Sequence, residues 1–455
     1  MQGISFFAAL LLSLLAMSCK PDSNAADGPN IKPETEKETE KDKDKETTAE
    51  EITVGKTLPA WKEGEMDIHF INTTTGECAF IIFPDGTQLM NDTSGSLVET
   101  NSEASTCNSG IRSRWDPTKQ GKRGTQIVTE YVQKCMKWTG NDKIDYLVIS
   151  HFDNDHIGGY AKSLPSSPKG SYKENGVAEI MDNFTVSKYL DRGWPDYSYP
   201  YDVSTKSNVN NLLSAVKWHV ANSGTLAARF TPGVSDQIVP KTSKYDVKVQ
   251  NIAANGEVWT GSGTATVKNF PEASEIESSS SANCPDENIC STVMRISYGA
   301  FDYFAGGDIQ YNGKSTYAWK DAELPCAKVA GVVEVMKADH HGSANTHSAA
   351  ALRALNPQAV VVNCWMDVQP RTSTLSTIIS TLKDVDVFST NFWKGDRPSG
   401  VDDKVTDTEA ARVIGYDGNI VVRVAEGGSK YWIVTTSDSD GAMTVKSIAG
   451  PYTCR

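Results

Sequence analysis

The sequence of 455 residues predicts an α/β protein built as an αββα sandwich, in which two β-sheets pack face to face and helices cover their outer surfaces. Strand-like and helix-like segments alternate in the middle of the chain, and antiparallel pairs of strand-like segments stand near both ends. Hydrophobic residues make up 39% of the chain and charged residues 22%, which supplies enough apolar material for a buried core.

The N-terminus has the pattern of an export signal followed by a tether. The apolar run Ile4–Met17 is too short for a membrane span and has the length of a signal-peptide core. It ends in Ala16-Met17-Ser18-Cys19, which resembles the lipobox of bacterial lipoproteins; a plain secretory signal with an incidental cysteine is the alternative. Residues 1–19 are therefore predicted to be a lipoprotein signal peptide, and residues 20–51 a disordered acidic linker. We expect a cell-envelope lipoprotein of the outer membrane or cell surface, attached to the membrane through a lipid on Cys19, or otherwise a periplasmic or secreted protein. No protein partner is evident.

The net charge and the cysteines restrict the partners and the compartment. The formal net charge of −13 disfavours binding to nucleic-acid phosphates unless a basic surface or bound cations intervene. Eight of the nine cysteines remain beyond Cys19, and an even number in an exported chain predicts disulfides. Cys284 and Cys290, in CPDENIC, are the favoured pair, and the spacing of the cysteines predicts no zinc–cysteine site.

A single folded domain is predicted to span residues 52–455. Strands are predicted at Met66–Asn72, Cys78–Phe83, Ile144–Ser150, Val293–Tyr298, Tyr303–Ala305, Gly331–Ala338, Ala359–Val362, Asn419–Val424 and Tyr431–Thr436, and helices at Thr125–Trp138 and Ser348–Leu355. The turn Pro84-Asp85-Gly86-Thr87 leads from the second strand into Gln88–Asn91. Continuous apolar runs such as IDYLVIS are typical of strands buried on both faces. A stretch rich in Ser, Asn and Gly, about residues 195–285, is expected to be an insertion.

Four potential metal ligands follow the strand Ile144–Ser150 within six residues, in His151-Phe152-Asp153-Asn154-Asp155-His156. The chain has only seven histidines, so this density of ligands is not expected by chance. Imidazole and carboxylate groups together suit Zn²⁺, Mn²⁺ or Fe²⁺. A polar helix cap would explain one aspartate but not both histidines, so the sequence predicts a metal site at this strand end.

Two further motifs follow strands and supply ligands of the same kind. Gly306-Gly307-Asp308 places a carboxylate where it could bridge two metals, although a plain turn would use the same residues. The segment Lys337-Ala338-Asp339-His340-His341-Gly342-Ser343 follows another buried strand. Adjacent histidines that leave a strand point in different directions, so one can bind metal while the other faces substrate. A surface histidine pair is the alternative for this motif alone.

The order HxDxDH, then GD, then HHGS, each after a strand, resembles the metallo-β-lactamase superfamily. Within it, the chain most resembles the hydrolase domain of ComEC-type competence (DNA-uptake) proteins and their stand-alone relatives. The resemblance includes the opening MDIHFINTTTGECAFIIFPDGTQLMND with its Asp92, Asn288–Ser291, and GYDGNI near the end; it covers about residues 60–165 and 285–435. It implies an αββα metallo-β-lactamase sandwich and a hydrolase with two divalent metal ions.

The resemblance also implies a role for each site residue. One ion would be held by His151, Asp153 and Asp308, and the other by Asp155, His156, Asp308 and His341, with His340 in an acid–base role. Which of the adjacent histidines is the ligand stays open. The commoner superfamily motif is HxHxDH, and the aspartate at position 153 favours a harder ion such as Mn²⁺ over Zn²⁺. The family's third-motif histidine has no clear counterpart; Asp191 is the candidate substitute, whereas His219 lies in a helix-like segment.

The expected chemistry is hydrolysis by a metal-activated hydroxide. Asp155 is expected to orient the water or bind metal, and His340 to assist the leaving group. Phosphodiesters are the favoured substrates, because hard ions held by carboxylates suit phosphate oxygens. Extracellular nucleic acid, a nucleotide, or a cell-wall or lipid phosphodiester would fit. A β-lactam or ester hydrolase, and a non-catalytic surface binding protein on a degenerate hydrolase scaffold, are the alternatives.

Overall fold

Two mixed β-sheets face each other in the computed structural model, which describes residues 52–97, 122–311, 317–394, 404–437 and 441–455. The predicted signal peptide with Cys19, the linker over residues 20–51 and Cys107 lie outside these residues. No helix in the described ranges is long and apolar enough to cross a membrane.

The first sheet joins the two ends of the domain. In the part of the chain that is described it has nine strands, in the spatial order β18-β17-β16-β1-β2-β3-β4-β5-β6. They are β1 (Met66–Phe70), β2 (Ala79–Ile82), β3 (Gln88–Asn91), β4 (Lys143–Val148), β5 (Thr185–Asp191), β6 (Leu226–Arg229), β16 (Asn419–Val424), β17 (Lys430–Thr436) and β18 (Val445–Thr453). Strands β3 to β6 run parallel to one another, whereas the strands from β18 to β3 pair antiparallel.

The second sheet has the same mixed character. Its nine strands, within the described residues, follow the order β15-β14-β13-β12-β11-β10-β7-β8-β9. They are β7 (Val247–Ala254), β8 (Glu257–Trp259), β9 (Thr266–Lys268), β10 (Val293–Tyr298), β11 (Phe301–Ala305), β12 (Val335–Lys337), β13 (Ala359–Val362), β14 (Asp386–Ser389) and β15 (Val413–Tyr416). Strands β11 to β15 are parallel.

Helices cover the outer face of each sheet. Those on the first sheet are α1 (Gly124–Thr139), α2 (Asn154–Ile157), α3 (Gly176–Asn183) and α4 (Ser207–Asn222); those on the second are α5 (Glu323–Ala330), α6 (Ala349–Leu355), α7 (Thr372–Thr381) and α8 (Asp407–Ala410). Helix α1 shows why they dock: its buried residues recur at helical spacing, so one apolar stripe faces the sheet.

The core lies in three layers that follow from the two-residue repeat of the strands. In β1, Met66, Ile68 and Phe70 pack between the two sheets. The alternate residues Asp67 and His69 turn to the helix side, where they meet Arg423 and Tyr131. Helix–sheet layers enclose this central layer on both sides. The predicted αββα sandwich is therefore confirmed.

The structure also bears on the stretch 195–285 and on the cysteines. The stretch 195–285, expected as an insertion, contributes α4 and β6 to the first half of the sandwich and β7 to β9 to the second. The predicted Cys284–Cys290 disulfide is wrong, since none of the described cysteines forms a disulfide. Each of these two thiols instead donates to a backbone carbonyl of its own loop, Cys284 to Pro285 and Cys290 to Asp286.

Candidate metal centre

The predicted ligand motifs meet because they follow parallel strands. The carboxyl ends of adjacent parallel strands share one edge of a sheet, which is where open α/β sheets bind ligands. In the first sheet, Asp92 follows β3 and His151 follows β4; in the second, Asp308 follows β11 and His341 follows β12. Ser150 and Thr292 join the two edges, since the Thr292 amide donates to the Ser150 carbonyl at 2.8 Å.

Asp92 holds the first motif in place. Its carboxylate accepts bonds from the Ser150 amide and hydroxyl, both at 2.7 Å, and lies 3.0 Å from His156 Nδ1. His156 therefore donates its Nδ1 proton to Asp92 and turns Nε2 to the centre of the site. A metal-binding histidine commonly has such a carboxylate on its other nitrogen. The sequence resemblance drew attention to Asp92 without assigning it this contact.

The loop between β1 and β2 closes over the same motif. Gly76 has a φ of 138°, and a Cβ there would meet the Asp155 carbonyl oxygen at 2.1 Å. Only glycine, which has no Cβ, can come this close to the Asp155 carbonyl. The adjacent Glu77 amide donates to that carbonyl at 2.9 Å, so the loop fixes the backbone of Asp155.

Asp308 lies at the middle of the cluster. Its Oδ2 atom faces the Nε2 atoms of four histidines, at 3.1 Å from His156, 3.3 Å from His341, 3.9 Å from His151 and 4.0 Å from His340. Its other oxygen lies 3.5 Å from Lys337 Nζ. The carboxylate of the second motif thus faces histidines of both other motifs, which is the arrangement expected of a bridging ligand.

His340 and His341 have different surroundings. Both have left-handed φ angles, 45° and 54°, a conformation that costs energy outside glycine and clusters at functional sites. His341 is buried, donates Nδ1–H to the Asn363 carbonyl at 2.9 Å, and places Nε2 3.1 Å from Asp155 Oδ2. His340 is 26% exposed and touches the Gln310 amide nitrogen at 2.7 Å. These contacts give His341 the position of a ligand and His340 that of a residue at the mouth of the site.

His151 and Asp153 form the more open side of the cluster. His151 Nε2 is buried without a hydrogen-bond partner and lies 3.7 Å from Asp153 Oδ2. Ligand atoms about 2.0 to 2.3 Å from one ion are separated by roughly 3 to 4 Å, which matches the separations in this cluster. A buried imidazole nitrogen without a partner, facing two carboxylates at these separations, fits a divalent cation.

The pKa values of the two buried histidines His156 and His341 also fit a divalent cation in this cluster. Burial alone would lower the pKa of His156 and of His341, but the carboxylates around them, Asp308 above all, outweigh it. The pKa of His156 is raised well above its usual value, and that of His341 to about 10. The carboxylates therefore draw positive charge into a buried site, and a divalent ion would supply it in place of protons.

Two buried residues of the centre have no role assigned from the sequence, although one of them, Lys337, opens the third motif. Glu77 belongs to a group whose ligand atoms lie within 4.8 Å of one another, together with His156, Asp308 and His341. Lys337 lies 3.1 Å from Glu77 Oε2 and donates to the Gly307 carbonyl at 2.6 Å. Glu77 lies in a polar turn of the first hairpin and Lys337 in an apolar strand, so neither pattern predicts a role.

Asp191 lies at the end of β5 and is not brought into this cluster. Its carboxylate accepts four bonds, from the Gly193 and Trp194 amides and from the Tyr189 and Tyr197 hydroxyls. These bonds use both oxygens to fold the loop that follows. His219 is also remote from the motifs and pairs with Asp182 at 3.0 Å.

Comparison with protein-family models gives no match, and neither does comparison with curated proteins. Among solved structures, the metallo-β-lactamase fold protein YhfI from Bacillus subtilis aligns at 11% identity and a TM-score of 0.35, over 71% of this chain and 96% of that one. Igni18, a metallo hydrolase from the hyperthermophilic archaeon Ignicoccus hospitalis, aligns at 11% identity and a TM-score of 0.33, over 71% and 94%. The CmlA β-hydroxylase aligns at 12% and 0.35, over 73% and 53%. At these scores the similarities carry no functional inference, and the ComEC-type resemblance stays a prediction.

Proposed function

We propose that this chain is a metal-dependent hydrolase of phosphodiesters that uses two divalent ions, Zn²⁺ or Mn²⁺. The observation that carries the proposal is the position of Asp308 Oδ2, which faces the Nε2 atoms of four histidines at 3.1 to 4.0 Å. His151, Asp153 and Asp308 would hold one ion, and Asp155, His156, Asp308 and His341 the other. Ions bound there would lower the pKa of a coordinated water towards neutrality and so provide hydroxide.

The chain's own residues would position the reacting groups. Asp155 is fixed by its backbone contact with the β1–β2 loop, and its side chain is directed to His341, which suits it to hold or orient a water beside the ions. Asp92 and Asn363 keep His156 and His341 in the tautomers that leave Nε2 to the centre. Lys337 holds Asp308 from the other side and balances part of the carboxylate charge.

His340 would act on the substrate rather than on the ions. The Gln310 amide nitrogen can only donate, so His340 Nδ1 accepts and its proton lies on Nε2, on the side of Asp308. Burial lowers the pKa of His340 to about 4, which keeps the imidazole neutral near pH 7. A neutral Nε2–H at the mouth of the site would donate a hydrogen bond to negative charge as it develops on a phosphoryl oxygen or leaving group.

Carboxylate-rich ligation supports phosphodiesters as the substrate class. Three of the six proposed ligands are aspartates, and oxygen ligands favour harder ions, which bind phosphate oxygens well. Extracellular nucleic acid, a nucleotide, or a cell-wall or lipid phosphodiester would be accessible to an exported protein held at the envelope by a lipid on Cys19, which we propose as its location.

The test measures the amount of bound metal and the rate of substrate hydrolysis on the same protein. The purified chain should bind divalent metal and hydrolyse bis-p-nitrophenyl phosphate when Mn²⁺ or Zn²⁺ is added, and His156→Ala should abolish turnover and lower the amount of bound metal. His219→Ala, which removes a buried histidine outside the centre, is the matched control and should retain activity. Nitrocefin and p-nitrophenyl acetate test the β-lactam and ester alternatives. Turnover that survives His156→Ala contradicts the proposed centre, and metal binding without turnover of any substrate indicates a binding protein.

A further inference from the structure

A second group of buried titratable side chains adjoins the segment that carries His340 and His341. Glu323 opens α5, Asp339 follows β12, and His347 precedes α6. One ligand atom from each of the three lies within 4.8 Å of the others. None of these residues belongs to the centre described above, and all three are at most 2% exposed.

The polar atoms of this second group are incompletely paired. Glu323 accepts the backbone amides of His347 at 2.6 Å and Ser348 at 2.9 Å, which fixes its carboxylate. Asp339 Oδ1 and His347 Nε2, in contrast, are buried without a hydrogen-bond partner. A buried polar atom left without a partner costs about 1 to 3 kcal/mol, so a ligand that contacts both atoms would stabilise the fold.

The two carboxyl groups of this cluster also lie close together and away from solvent. Two carboxylates lie in the protein interior, where an uncompensated charge is costly. The nearby ammonium group of Lys337 is already engaged with Glu77 and Asp308 in the first centre. A divalent cation held by two carboxylates and an imidazole would compensate their negative charge, and this ligand set suits ions such as Zn²⁺ and Mn²⁺.

We propose that Glu323, Asp339 and His347 bind a further divalent metal ion, separate from the proposed dinuclear centre. The ion would connect the start of α5, the end of β12 and the start of α6. It would thereby fix residues 339–347, including the two histidines with left-handed backbone, and its role would be structural. The inference does not depend on the proposed activity, because it concerns how many ions the protein holds.

Metal stoichiometry tests this site. The full chain is stripped with a chelator, equilibrated with Zn²⁺, freed of excess ion and analysed by inductively coupled plasma mass spectrometry. His347→Gln should hold one zinc ion fewer than the wild type, and so should Glu323→Gln, which keeps an oxygen that can accept a backbone amide. His219→Gln should match the wild type. Equal zinc content in the wild type and both cluster variants overturns the proposal.

A second measurement leaves the cluster untouched, so it remains decisive if those variants fail to fold. A variant with His156→Ala and Asp308→Asn disables the first centre and should still retain one zinc ion, together with a zinc-dependent rise in Tm. A double variant that folds but holds no zinc contradicts the proposed site. Loss of phosphodiester turnover in the same variant bears only on the proposed function.

Discussion

His341 Nε2 lies 3.1 Å from Asp155 Oδ2, although the two residues are 186 positions apart in the chain and follow strands of different sheets. An ion at this contact would therefore link the two halves of the sandwich. Because a ligand that binds only the native state stabilises it by mass action, free metal at about 100 times its Kd should add about 2.7 kcal/mol per ion. Thermal or urea unfolding with and without chelator measures this, and identical curves would contradict metal binding.

Asp308→Asn should weaken the binding of both ions, because it removes the negative charge of the shared carboxylate. We expect metal content to fall and kcat/KM to drop by roughly 10²-fold or more, which corresponds to about 3 kcal/mol of transition-state stabilisation. Mass spectrometry of bound metal and phosphodiester kinetics check both effects. Asp142→Asn, on an exposed loop, is the matched control. Unchanged metal content in Asp308→Asn would show that the carboxylate does not bridge ions.

Asp92→Ala should act through His156 without touching the ions. Its loss frees the imidazole to rotate and to exchange tautomers, and such supporting carboxylates are typically worth about 10- to 100-fold in metal affinity or activity. Competition with a fluorescent zinc chelator measures the affinity. Asp92→Asn, which keeps an oxygen to accept the Nδ1 proton, should recover part of it. Equal losses in the alanine and asparagine variants would indicate a general folding defect instead.

Substitutions of the adjacent histidines His340 and His341 should have different effects on metal content and on kcat. His341→Ala is expected to release metal, whereas His340→Ala should keep the full metal content and lower kcat by about 10²-fold, at the lower end of what acid–base or hydrogen-bond catalysis contributes. Metal analysis and kinetics on the two variants decide the assignment. The opposite pattern, with metal lost in His340→Ala only, would reverse the two roles.

Asp67→Asn should destabilise the fold without affecting the metal centre. Asp67 is fully buried and accepts two bonds from Arg423, at 2.9 and 2.7 Å. Replacing it removes the nearer of two carboxylates at the buried Arg423 guanidinium and leaves Glu65, whose Oε2 lies 3.6 Å from Arg423 Nε. We therefore expect a cost of about 3 kcal/mol, the lower end for a broken buried ion pair. Urea unfolding of the variant, with bound metal as the control readout, tests this. A loss below about 1 kcal/mol, far short of that cost, would contradict it.

The same pair predicts an acid-dependent loss of stability. Burial alone would raise the pKa of Asp67, but the ion pair with Arg423 outweighs it and holds the pKa well below the usual range. A depressed folded-state pKa stabilises the protein above the unfolded value, about 3.9, and that contribution is lost as the pH falls through the folded value. The free energy of unfolding should therefore fall more steeply below about pH 4 in the wild type than in Asp67→Asn. Parallel profiles would argue against the pair.

Much of the fold could be predicted from the sequence, because its signals are local. Apolar runs such as Ile144–Ser150 mark strands buried on both faces, and several polar ligands directly after such a strand are typical of a binding site at a sheet edge. In the structure, the strand predicted at Ile144–Ser150 is β4, which spans Lys143–Val148. The helix predicted at Thr125–Trp138 is α1, which spans Gly124–Thr139. The three motifs were visible for the same reason, since each follows its strand directly.

Tertiary structure alone decided which polar residues meet. Glu77 and Lys337 enter the centre because the first hairpin and β12 come together across the sheets, a contact that leaves no periodic pattern in either segment. Asp191 has the sequence position of a ligand, yet its oxygens are used by the loop that follows β5. The sequence by itself thus determined the strands and the kinds of ligand at their ends. Only the packing of the two sheets decided the partners, because side-chain pairing depends on distances between segments that are remote in the chain.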